Sequence, residues 1–92
     1  MFETSIIAKL LTAPGEVYYW REGQNEVDAV WEYGDNLLAL EIKSSTRKNN
    51  KGLELFRHRF PKAKTMLIDE SLGTKILEMP SVKDFLIEVS GR

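Results

Sequence analysis

Apolar and polar positions change their period along this chain, and each change marks an element. From Phe2 to Leu11 the apolar residues recur at helical spacing. Ile6, Ile7, Leu10 and Leu11 make one stripe, and Pro14-Gly15 ends it. Val17 to Arg21 (V-Y-Y-W-R) is rich in aromatic and β-branched residues and predicts a strand. Glu22 to Asn25 is a turn, and Glu26 to Glu32 a second strand. Tyr33-Gly34-Asp35-Asn36 has the residues of a hairpin turn. Leu37 to Lys43 predicts a third strand, whose near-continuous apolar start suits a central place in a sheet.

A polar loop from Ser44 to Asn50 follows. Lys51 to Phe60 predicts a helix with Leu53, Phe56 and Phe60 inward, stopped by Pro61. Thr65 to Asp69 predicts a fourth strand, Thr74 to Met79 a short extended piece, and Ser81-Val82-Lys83-Asp84 a capped start for a last helix to Val89. The order is helix, three-stranded meander, helix, strand, then a small C-terminal helical addition. The strand–helix–strand step from Leu37 to Asp69 requires a parallel crossover, whereas the meander is antiparallel. The expected class is α/β, a mixed sheet flanked by helices.

Size and composition narrow this picture. The 92 residues suit one domain, residues 1–92, with one core. An apolar content of 42% and a charged content of 29% are ordinary for a globular protein. The absence of cysteine excludes disulfides, thiolate metal sites and cysteine nucleophiles. No apolar run approaches the roughly 20 residues that span a bilayer. With no signal peptide in view, the expected compartment is the cytoplasm. Charge is divided unevenly. Arg47 to Lys64 holds seven cations against Glu54 alone, a net of +6, while the rest holds six cations against thirteen anions, a net of −7. A phosphate backbone would suit the basic segment; on charge alone, two solvated faces are the better account.

The candidate chemistry lies where charge interrupts the strands. Glu41 and Lys43 follow Leu37-Leu38-Ala39-Leu40, and Asp28 stands within the second strand. Charges in such positions are costly unless paired or bound to a metal. Strict alternation puts Leu37, Ala39, Glu41 and Lys43 on one face of the third strand, and Glu26, Asp28, Val30 and Glu32 on one face of the second. Four residues separate Asp28 from Tyr33 and four separate Asn36 from Glu41, so the turn makes the two acids cross-strand neighbours. Two carboxylates ~4 Å apart repel by roughly 4 kcal/mol at an effective dielectric near 20, and a divalent cation removes that cost. Mg²⁺ (or Mn²⁺) favours oxygen ligands, and the Ile42 backbone carbonyl is a further donor. Lys43 would steady negative charge on phosphorus. Glu3 shares a helical stripe with Ile7 and Leu10 and would approach the same face. The plainer accounts are a solvated cross-strand salt-bridge ladder for the three strand residues and a dipole-favoured acid in the first helical turn for Glu3.

Asp28, twelve residues, then Glu41-Ile42-Lys43, in a helix–three strands–helix–strand order, resembles the PD-(D/E)XK nuclease superfamily. Tyr18-Tyr19-Trp20-Arg21, Glu26-Val27-Asp28 and Glu41-Ile42-Lys43-Ser44-Ser45 resemble one branch more closely: the nuclease-like C-terminal domain of AAA-type ATPases of unknown function. Phe2-Glu3, Lys51-Gly52-Leu53, Phe56 and Phe60-Pro61-Lys62-Ala63 extend the likeness over nearly the whole chain. Val27 stands where the superfamily has proline. No G-x-x-x-x-G-K-[ST] phosphate loop occurs in these residues.

The resemblance implies a restriction-endonuclease-like α-β-β-β-α-β core with Asp28 and Glu41 as metal ligands, Lys43 as the catalytic lysine and Glu3 as an assisting acid. Gln24 and Glu26 are auxiliary candidates. Ser44, Ser45, Arg47, Lys48, Lys51 and Arg57 are the candidate phosphate contacts. His58 belongs to the helix surface. The implied activity is metal-dependent hydrolysis of DNA. The alternatives are a catalytically silent accessory domain of an AAA-type ATPase and a nucleic-acid-binding module that does not cleave. A cutter of both strands at this size implies a homodimer, since one site cuts one strand; no residue pattern marks the dimer face.

Overall fold

A computed structural model describes residues 2–43 and 51–90, with side chains from Thr4 onward. Eight elements follow in order: α1 (Phe2–Leu10), β1 (Glu16–Glu22), β2 (Asn25–Tyr33), β3 (Asn36–Ile42), α2 (Lys51–Arg59), β4 (Lys64–Ile68), α3 (Glu70–Glu78) and α4 (Lys83–Ser90). The four strands form one sheet in the order β1-β2-β3-β4. The meander is antiparallel and β3 pairs β4 in parallel, as the crossover requires. β3 is interior, which explains its apolar run. Gly23 and Gly34 turn the two hairpins with φ of 62° and 59°, a region side-chained residues avoid.

Each sheet face has its own cover. Leu38, Leu40 and Ile42 of β3, with Ala29 and Trp31 of β2, meet Ile6 and Leu10 of α1, Ile76 of α3 and Leu86 of α4 in the larger core. Val27, Val30 and Ala39 meet Leu53 and Phe56 of α2 in the smaller one. The Trp31 indole N–H donates to the Pro14 carbonyl at 2.9 Å, so its one polar atom is satisfied inside the core. Lys9 at the end of α1 donates to the Met79 carbonyl beyond α3, tying two helices of that layer.

Three expectations are corrected. Phe60 does not face inward: it lies just past the end of α2 and is 41% exposed. Thr74 to Glu78 is not extended: it lies in α3, which starts at Glu70, and only its C-cap Met79 is extended. Asp69 caps that helix by accepting the Leu72 N–H at 2.8 Å, and Ile76 is buried beneath it. The helical stripe of α1 is also narrower than expected. Ile6 and Leu10 are buried, but Leu11 is 61% exposed because the helix ends before it.

Candidate functional site

β2 departs from strict alternation at the residue of interest. Tyr18 pairs with Val30 and Trp20 with Val27, so Asp28 and Ala29 together stand opposite the single Tyr19. This is a β-bulge. It explains why Val27 and Val30 belong to one core while Ala29 and Trp31 belong to the other. The expected single face of Glu26, Asp28, Val30 and Glu32 is therefore broken between Val27 and Val30.

The pairing of β2 with β3 is regular from Tyr33–Asn36 to Ala29–Leu40. Asp28 and Glu41 follow one step beyond the last of these pairs. There Asp28 Oδ2 accepts the Ile42 N–H at 2.8 Å. A half-buried carboxylate thus continues the ladder where backbone pairing stops. Along a strand, the N–H and C=O of one residue point to the same side, so the Ile42 carbonyl is also directed toward β2. Glu41 is 7% exposed and pairs with Leu67 of β4. Alternation from Leu37 and Ala39 puts it on the α2 side of β3. Lys43 is exposed, and its N–H donates to the Ile68 carbonyl at 2.8 Å, so the strand direction persists through it. Asp28, Glu41, Ile42 and Lys43 therefore lie at the same end of the β2–β3 pair. The donors are all hard oxygen, a set that suits Mg²⁺ or Mn²⁺. Among the described residues, no group of three or more His, Cys, Asp or Glu side chains is placed to hold a metal.

The other candidates divide. Glu26 is exposed, and its carboxylate accepts the Tyr19 hydroxyl at 2.7 Å. Gln24 is exposed in the hairpin turn. Lys51 opens α2 and is exposed. Arg57 lies farther along that helix, lining grooves with Thr65 and Lys64. His58 is exposed on the helix surface, as expected. Ser44, Ser45, Arg47 and Lys48 lie outside the described residues, as does the Glu3 side chain, whose backbone is in α1.

Two residues near the site enter the sequence reading only through the family likeness, with no role at the site. Tyr19, opposite the bulge, carries a hydroxyl held above its ordinary pKa, first by its hydrogen bond to Glu26, with the Asp28 charge also contributing. Gly52 is the point where α2 touches β2: a Cβ there would lie 1.9 Å from the Glu26 carbonyl oxygen. A glycine second in an otherwise helix-forming segment was the available signal.

Residues 1–88 match a family model described as a domain of unknown function, DUF4143. No curated protein and no solved structure gives a match. Among the described residues, no helix is long and apolar enough to cross a membrane.

Proposed function

The chain belongs to the DUF4143 family, and from the placement of Asp28, Glu41, Ile42 and Lys43 at one end of the β2–β3 pair we propose a divalent-metal-dependent DNA nuclease of the PD-(D/E)XK type. The observation that carries this reading is the Asp28–Ile42 bond of 2.8 Å, which brings the acid of β2 against the Glu41-Ile42-Lys43 segment. Asp28, Glu41 and the Ile42 carbonyl would hold Mg²⁺ or Mn²⁺, with Glu3 as an assisting acid from α1. The cation would supply positive charge against phosphate oxygens and acidify water beside them. Lys43, exposed at the strand end, presents its ammonium to the same phosphate. Lys51 offers a backbone-phosphate contact at the start of α2, and Tyr19 borders the approach from β1.

Cleavage of plasmid DNA in Mg²⁺ or Mn²⁺ tests the reading. The wild-type chain should nick it, and Asp28→Asn, Glu41→Gln and Lys43→Ala should each lower the rate by about a hundredfold or more. Cleavage that survives all three substitutions would sink the proposal.

A second reading has an observation of its own. One oxygen of Asp28 is already engaged in holding the strand end, a role a silent domain would also need. Domains of this family are often found at the C-terminus of AAA-type ATPases. An accessory module partnering such an ATPase, or binding nucleic acid without cutting it, would show no cleavage. It would also show no Mg²⁺ heat in calorimetry that Glu41→Gln abolishes.

A further inference from the structure

The two edges of the sheet are built differently. β1 carries the bulge, the charged Glu16, Arg21 and Glu22, and an ion pair between Glu22 and Arg59. Charge and irregularity of this kind discourage a further strand from pairing. β4 has a single charge, at Lys64, and a regular register with β3. Its Leu67 is 41% exposed.

The polar groups of that edge have a definite direction. The Ile68 carbonyl faces β3, where it accepts from Lys43. By alternation, the N–H and C=O groups of Thr65 and Leu67 point away from the sheet. Thr65 and Leu67 pair with Ala39 and Glu41, so their side chains lie on the α2 side. A groove of roughly 310 Å³ runs there, bounded by Leu53, Glu54, Arg57, Thr65, Met66 and Leu67. Because α2 runs opposite to β4, Glu54 stands toward Leu67 and Arg57 toward Thr65. A neighbouring groove agrees, holding Arg57 with Lys64 and Thr65 but neither Glu54 nor Leu67.

We infer that this edge receives a second copy of the chain, β4 against β4 in antiparallel register about a two-fold axis at Met66. Thr65 then exchanges both backbone hydrogen bonds with the partner's Leu67, and Leu67 with the partner's Thr65. The exposed leucines are covered on the α2 side. The charges decide the occupant. A two-fold at Met66 sets Glu54 across from the partner's Arg57, and Arg57 across from the partner's Glu54, so the edge complements itself. The sheet becomes continuous across eight strands, with Glu41 one strand and Asp28 two strands in from the seam.

Sedimentation velocity on the whole chain across the micromolar range tests this. The wild type should dimerise. Leu67→Lys should be monomeric throughout, with an unchanged circular dichroism spectrum because the residue is exposed. Glu54→Arg or Arg57→Glu alone should weaken the dimer by about tenfold, since each replaces two attractions by two repulsions. The double variant Glu54→Arg/Arg57→Glu should recover wild-type affinity, a result general loss of folding cannot mimic. A wild-type chain that stays monomeric would overturn the inference. So would a dimer indifferent to Leu67→Lys and to both single reversals.

Discussion

The Asp28 carboxylate accepts the Ile42 N–H at 2.8 Å, and that bond has structural value apart from any metal. Removing it leaves a strand-end donor unsatisfied, which costs about 1–3 kcal/mol. Asp28→Ala should therefore lower the unfolding free energy in urea by that amount. Asp28→Asn keeps an oxygen acceptor while removing the charge, so its stability should stay within about 1 kcal/mol of wild type. If the Asn variant keeps its fold and loses Mg²⁺ binding by calorimetry, the two roles of the side chain are separated. If Asn destabilises as much as Ala, the bond depends on charge. The motif residues were legible because charge inside an apolar strand is costly and conspicuous. The bulge was not legible: neither glycine nor proline marks it. It shows itself only in the odd spacing of Val27 and Val30, which strict alternation would send to opposite faces.

At the scale of elements, α2 is seated by Gly52. A Cβ at that position would lie 1.9 Å from the Glu26 carbonyl oxygen and 2.8 Å from its carbon, and both are backbone atoms that cannot swing away. In a solvated helix interior, Gly→Ala stabilises by about 1 kcal/mol. Here the sign reverses. Gly52→Ala should destabilise by about 1–3 kcal/mol, read from urea denaturation, as α2 is lifted from β2. A stabilised Ala variant would mean that α2 does not sit this close. The same scale holds the one element misread from sequence. Thr74-Lys75-Ile76-Leu77 contains β-branched residues that favour extension. The Asp69 cap and the burial of Ile76 under the larger core override them. The other elements were legible within a residue or two of their ends because proline and glycine punctuate them at Pro14-Gly15, Gly34 and Pro61.

Across the whole molecule, long-range ties join layers that no local pattern reveals. Arg59 at the end of α2 donates to Glu22 at the end of β1, 37 residues away, through Nε at 2.8 Å and a second nitrogen. The bidentate bond holds the Glu22 carboxyl below its ordinary pKa and the guanidinium above its own. A carboxyl with a depressed folded pKa contributes stability above its unfolded pKa and loses it as the pH falls through the folded one. Both groups are exposed, so the contribution is small. Glu22→Gln should accordingly be slightly less stable than wild type at neutral pH in thermal melts. That difference should close as the pH drops below the normal carboxylate range. A gap that persists in acid would locate the effect in packing instead. Such a pair is invisible in sequence because neither residue interrupts an apolar run. Strand order was recoverable, since a meander and one crossover leave little choice, but which edge of the sheet stays open was not.

The division of the core into two layers has an optical consequence. Trp31 is wholly buried in the larger layer, with its indole nitrogen bonded to Pro14. Trp20 belongs to the smaller layer, its ring 5.1 Å edge-on from Phe56 of α2. The chain therefore carries one tryptophan on each side of its sheet. Trp31 emits from a dry, fixed setting, and Trp20 from one that becomes wet as soon as α2 undocks. Replacing either by Phe leaves a single reporter for one layer, so the order in which the two layers are acquired can be followed without a label.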